Sequence, residues 1–178
     1  MKVHLGCGTR FIPGFFHIDG RAFPHVDKVS DLSDLTCIED GSCELIYACH
    51  VLEHFPTSAT EAVLTEWRRK LRKGGLLRLS VPDFRAITEI YLKYGKVELV
   101  QGPIFGRLDY ELNRHFRVFD FNSLENALKS SGFRSVKLWD WRVTEHSDVD
   151  DYSQAYIPHM DKENGIQLSL NMEAVRDA

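Results

Sequence analysis

The sequence predicts an α/β domain built on a largely parallel sheet. Three observations carry that expectation. Short β-rich apolar runs alternate with helical patterns along the chain. Two glycines follow the first run directly, in "HLGCGTRFIPGFFHID". An acid, Asp19, then closes the next run. Polar groups thus fall at the carboxyl ends of strands, where open α/β sheets bind ligands.

"KVHL" (2–5) reads as the first strand, closed by "GCG". "GFFHID" (14–19) is the second and "HVDKVSD" (25–31) a weak third. "CELIYAC" (43–49) is the fourth, bounded by "EDGS". A helix over 58–73 follows, opened by a Ser58/Glu61 capping box. Its stripe is Val63, Leu64, Trp67 and Leu71, and it ends in a basic turn before Gly74. "LLRLSV" (76–81) is the fifth strand, stopped by Pro82. A second helix over 123–131 has Asn122 as its N-cap, Glu125 three further on, and Gly132 as its C-cap. Leu124, Ala127 and Leu128 face inward. "SVKLWDW" (135–141) and "IQLSLNME" (166–173) close the series. A long polar segment joins these two, which suits an antiparallel return at the sheet edge.

Residues 84–115 and 142–165 do not fit the alternation, and connections of that length are usually binding loops or disordered segments. The second holds six acids, two bases, Tyr152, Tyr156 and His159. It reads as a flap over a site, or equally as a solvated surface loop.

With 178 residues and 43% hydrophobic content, the chain has material for one good core, so a single domain over 1–178 is expected. A net charge of -4 offers no general attraction for nucleic acid or anionic lipid, and no partner of either kind is expected. No apolar run approaches the ~20 residues that span a bilayer, and the N-terminus shows no signal-peptide h-region. Cys7, Cys37, Cys43 and Cys49 form no C-x-x-C pair and read as free thiols of a cytosolic protein. The basic run "WRRKLRK" suits the last turn of a helix, where cations offset the dipole. Trp139 and Trp141 read as packing on one strand face, and Cys7 as a small filler.

The glycine loop is not a dinucleotide fingerprint. Position 11 is Phe rather than Gly, and Asp19 follows Gly8 by only eleven residues. Pro13 and Gly14 leave no room for a regular helix whose N-terminus would hold a pyrophosphate. NAD and FAD are thereby disfavoured, but a nucleoside without phosphates is not. Asp19 could accept from ribose hydroxyls, and Asp31, in "SDLSDL", from an adenine amino group.

Taken together, "VHLGCG", "GFFHID", "DLSDL", "HVLEHF", "KGGLLRLSVPD" and "HFRVFDFNSLENALKSSGF" resemble the short class I S-adenosylmethionine-dependent methyltransferases. The compact type often associated with glycan biosynthesis is the nearest. The resemblance covers roughly residues 1 to 141. It implies a Rossmann-like sheet of order 3-2-1-4-5-7-6, its seventh strand antiparallel, with a shortened first helix. It implies that Gly6, Cys7 and Gly8 line the methionine part of the cofactor and that Asp19 binds the ribose. Asp31 and the Leu32 backbone would meet the adenine, and His50 would stand beside the methyl donor. Arg10 occupies the place of the family's third glycine and is the candidate to hold the methionine carboxylate.

"HVLEH" (50–54) is also the H-x-x-E-H pattern of inverzincin metalloproteases. That reading needs both histidines on one helical face, yet His50 directly follows a β-rich run and Pro56 closes the turn. No metal is therefore expected, with Leu52 in the core and Glu53 accepting backbone amides. If the acceptor is a hydroxyl, its proton must leave as the methyl arrives. His115 is the favoured base, ahead of His54, with Asp83 in reserve. The expected function is S-adenosylmethionine-dependent O-methylation of a small molecule or glycan. The alternatives are a catalytically silent nucleoside-binding module of the same fold and a zinc hydrolase using "HVLEH".

Overall fold

The computed structural model describes residues 1–177, so Ala178, the end of the expected domain, lies outside the described residues. Three short strands open the chain: β1 (Lys2–Leu5), β2 (Phe15–Asp19) and β3 (Lys28–Val29). After β4 (Cys43–Cys49), helix α1 (Thr60–Lys70) leads straight into β5 (Leu71–Pro82). Three helices follow, α2 (Phe84–Tyr94), α3 (Glu98–Phe105) and α4 (Phe121–Ser130), then β6 (Phe133–Leu138). A two-stranded hairpin, β7 (Tyr156–Ile157) and β8 (Ile166–Gln167), precedes β9 (Ser169–Arg176).

The main sheet has seven strands in the order β3-β2-β1-β4-β5-β9-β6. β9 is the seventh strand of that sheet in sequence, so the order is the expected 3-2-1-4-5-7-6. The inner strands pair in parallel, and β9 runs antiparallel to both β5 and β6.

Side chains alternate across a sheet, and its two faces are covered differently. Val3, Leu5, Ile18, Ile46, Ala48, Leu77 and Leu79 pack with Trp67 of α1 and Leu124 and Leu128 of α4 in one continuous core. The opposite face carries Phe15, Leu45, Tyr47 and Cys49, with buried His4 and His17 among them. No helix covers it. Trp139 and the segment after it do, with the His146 ring 4.2 Å from that of Tyr47 and Asp151 accepting from the Tyr47 hydroxyl at 2.6 Å.

Several expectations change. The first helix starts at Thr60 without a side-chain cap, so the Ser58/Glu61 box is not formed. That helix stops at Lys70 because Leu71 already pairs with Cys43; an irregular stretch then carries β5 to Leu76. Asp120, not Asn122, caps α4, in a reciprocal box with Ser123. Residues 84–115 are largely helical, with Asp83 capping α2 and Gly95 ending it in the left-handed region. The 142–165 segment covers the sheet's second face rather than standing as a free flap. Trp139 and Trp141 share no strand, since β6 ends at Leu138; Trp139 donates to the Leu79 carbonyl at 2.9 Å. Three cations of "WRRKLRK" have intramolecular partners: Arg68 on Gly132, Arg69 on Glu66 and Asp40, Lys70 on Ile38 and Asp40.

Candidate active site

The glycine loop, Asp19, Asp31 and His50 stand at the carboxyl ends of β1, β2, β3 and β4 in turn. Gly6 leaves β1 with φ +62°, and a side chain there would collide with Val51. The loop is thereby pressed against the turn that follows β4. Gly8 also has positive φ, and nothing lies within 4 Å of where its Cβ would stand. Its amide donates to Asp19 Oδ2 at 2.7 Å, while Arg21 N–H donates to Oδ1 at 2.8 Å. The buried Asp19 carboxylate is thus fixed by backbone and keeps further lone pairs for a ligand. Cys7 is buried, and its thiol is pushed up to about 12, first by burial, so it stays protonated. Arg10 is exposed at the mouth of the loop.

Leu32 lies beside Gly6, and its carbonyl accepts from Trp67 Nε1 at 2.7 Å. Asp31 is turned to Ser33, accepting from its amide at 2.8 Å and its hydroxyl at 2.7 Å. On the far side, the Arg21 guanidinium sits 3.9 Å over the Tyr110 ring, bringing the 106–115 segment to the tip of β2.

His50 follows β4 in the left-handed region, φ 53°. A non-glycine residue held there signals local strain, which concentrates at functional sites. Its Nε2 lies 2.8 Å from Ser169 Oγ, and Ser169 spends its own hydrogen on the Tyr152 carbonyl. His50 Nε2 is therefore the donor, and Nδ1 carries a lone pair that faces Glu53 Oε1 at 3.4 Å. The ring lies 5.0 Å from that of Tyr152, in the 142–165 segment.

Leu52–His54 form a single 3-10 turn. Leu52 enters the core as expected. Glu53 does not behave as expected: it is fully buried, and neither carboxylate oxygen has a hydrogen-bond partner among the described residues. Burial raises its pKa to about 8.

His115 arrives from the other side. Its amide donates to the Phe105 carbonyl, and Phe116 N–H donates to the Glu53 carbonyl at 2.9 Å. Gly106 permits this close approach, since any side chain there would strike the Asn113 carbonyl. The rings of His54 and His115 meet at 4.7 Å. His54 Nδ1 faces the Arg114 carbonyl at 3.0 Å and His115 Nδ1 the Pro103 carbonyl at 2.9 Å. A carbonyl only accepts, so both Nδ1 atoms carry protons and both Nε2 atoms bear lone pairs. Burial lowers both pKa values, holding the imidazoles neutral.

The structure thus brings together Gly6, Cys7, Gly8, Asp19, Leu32, His50, His54 and His115. Asp83 stands apart in role: its carboxylate caps α2, accepting from Arg85 N–H at 2.9 Å. Sequence reasoning missed Glu53 as a site acid, and Arg21 and Tyr110 at the rim, whereas Tyr152 was named within the possible flap. "HVLEH" held the signal for Glu53; nothing local marked Arg21 or Tyr110.

This sheet, with its glycine loop and acid on successive strands, defines the class I S-adenosylmethionine-dependent methyltransferase framework. The chain belongs to the methyltransferase-domain family, whose profile matches residues 15–138. No curated relative matches it in sequence. Among solved structures it is similar to an S-adenosylmethionine-dependent methyltransferase, possibly a histamine N-methyltransferase, from Thermotoga maritima. That likeness has TM-score 0.60 and 16% identity, and covers 99% of this chain and 82% of the other. An S-adenosylmethionine-dependent methyltransferase from Archaeoglobus fulgidus gives TM-score 0.60 at 14% identity, covering 98% and 85%. The Burkholderia thailandensis 1,6-didemethyltoxoflavin-N1-methyltransferase, solved with its substrate and S-adenosylhomocysteine, gives TM-score 0.58 at 12%, covering 99% and 71%.

Proposed function

We propose that this chain is an active methyltransferase that methylates a hydroxyl oxygen of a small molecule or glycan. S-adenosylmethionine is the cofactor, and it supplies a methyl group already activated by its sulfonium. The residues present fit it. Open space above Gly8 admits a ligand against the backbone, and the Asp19 carboxylate keeps lone pairs for ribose hydroxyls. Asp31 and Leu32 would flank the adenine, and Arg10 would meet the methionine carboxylate.

One observation carries the choice of a hydroxyl. Two neutral imidazoles, His54 and His115, touch at 4.7 Å beside a buried carboxyl, next to the turn that packs on the glycine loop. Such groups accept a proton near neutral pH, which hydroxyl methylation requires. His115 is the favoured base, with its Nδ1–H anchored on Pro103 and Nε2 free. The unpaired cysteines support a cytosolic setting.

Calorimetry with S-adenosylhomocysteine and transfer of labelled methyl to a panel of phenols, polyols and oligosaccharides test the reading. Asp19→Ala should weaken S-adenosylhomocysteine by on the order of 2–3 kcal/mol, from lost charge-assisted hydrogen bonds. His115→Ala should lower turnover ~10²-fold or more with cofactor affinity intact. Cofactor binding without transfer to any acceptor would instead mark a silent nucleoside-binding module. Wild-type turnover in His115→Ala, with only earlier melting, would make His115 structural.

A further inference from the structure

We infer that Glu53, His54 and His115 form a binding site for one divalent first-row metal ion. A ligand atom from each of the three lies within 4.8 Å of the other two. His115 Nε2 stands 4.0 Å from Glu53 Oε1, against the ~3.4 Å separation that tetrahedral bonds of 2.0–2.1 Å impose. Binding would draw this pair together by ~0.6 Å.

Three features point to an ion rather than to packing. The Glu53 carboxyl is fully buried with both oxygens unpartnered, a costly arrangement that invites a cation. As a carboxylate it finds no donor among the surrounding imidazoles, since His50 Nδ1 and both Nε2 atoms carry lone pairs. Each Nδ1–H of His54 and His115 is also anchored on a backbone carbonyl, the outer hydrogen bond that orients metal-binding histidines. Two nitrogens and one carboxylate suit zinc, iron or cobalt better than magnesium or calcium. This set differs from the His50/His54 helix that the sequence raises and rejects. His50 is turned to Ser169, and His115, 61 residues beyond His54, supplies the second imidazole. The inference runs against the sequence expectation of no metal at this turn.

Three protein ligands leave open positions for oxygen donors. On the reading proposed above, these take the acceptor's hydroxyl, whose pKa falls on the ion so that its proton leaves to solvent; with the ion bound, His115 serves turnover as a ligand rather than as the base.

The test uses the whole chain without a histidine tag, stripped with chelator and titrated with Co²⁺ and then Zn²⁺. One equivalent of Co²⁺ should bind with visible d–d absorption, and Zn²⁺ should displace it. Glu53→Gln, which removes a buried ionisable group and keeps its shape, and His115→Asn should each weaken Co²⁺ at least ~10-fold. Both should keep S-adenosylhomocysteine binding. No stoichiometric Co²⁺, or affinity unchanged in both variants, overturns the site. Methyl transfer undiminished after chelation would remove its catalytic part. Metal binding without any methyl transfer leaves the site standing and sinks the functional reading instead.

Discussion

The two faces of the sheet are held by different means. Beneath α1 and α4 the contact is almost wholly apolar, with Trp67, Leu64, Leu124 and Leu128 fully buried. Across the sheet the cover is an irregular segment fixed by polar contacts, Tyr47 to Asp151 and Trp139 to Leu79. His4, His17 and His146 are buried there. Apolar burial is non-directional and tolerates a sliding helix, whereas a polar interior is stable only while its partners stay in place. The helical face should therefore behave as the thermodynamic core, and the polar face as the part that senses pH and opens locally.

The largest expected effect tests the first half of that contrast. Trp67→Ala removes a fully buried ring and its hydrogen bond to Leu32. It should cost ~3–5 kcal/mol in urea unfolding, by the same amount at pH 5 and pH 8. A loss below ~1 kcal/mol would mean that this face is not the core.

Next comes pH. Burial holds His4 at about 3, and burial also lowers His146. Between that value and the ordinary ~6.5 of an unfolded histidine, the unfolded chain binds more protons. This stabilisation is full above ~6.5 and is lost as pH falls toward 3. Glu53, raised to about 8, acts oppositely: its contribution is full below the ordinary ~4.5 and is lost as pH rises through 8. His4→Phe should flatten the acid arm, so that the variant loses less stability than wild type between pH 7 and 4.5. Parallel acid profiles from near-ultraviolet circular dichroism would show that His4 does not contribute.

The smallest effect sharpens the comparison. Tyr47→Phe deletes only the hydroxyl that Asp151 accepts, while Ser153 still donates to Asp151 through its amide and hydroxyl. The expected cost is ~1–2 kcal/mol, with faster hydrogen exchange confined to residues 144–154. Exchange spreading equally into α1 would mean that the two faces open together.

The sequence by itself determined the parts that rest on local periodicity and turn chemistry. Strands β1, β2 and β4, the α1 stripe, the glycine turn and Asp19 were all legible, because each is written within about ten neighbouring residues. The signals for α2 were present too, in Asp83, Ile87, Ile90 and Gly95, and the length of the unassigned 84–115 stretch hid them. The α4 cap went to Asp120 because only an acid directly before Phe121 reaches the Ser123 amide. What the tertiary structure alone decided is long-range. Tyr47 meets Asp151, Arg21 meets Tyr110, and His115 meets His54 and Glu53. The physical reason is that a buried polar group is defined by whichever distant segment reaches it. Glu53 reads from its own neighbours as an ordinary turn acid. Only the segment 105–116, folded back and clasped through Gly106, places the His115 Nε2 lone pair 4.0 Å from its unpartnered carboxyl.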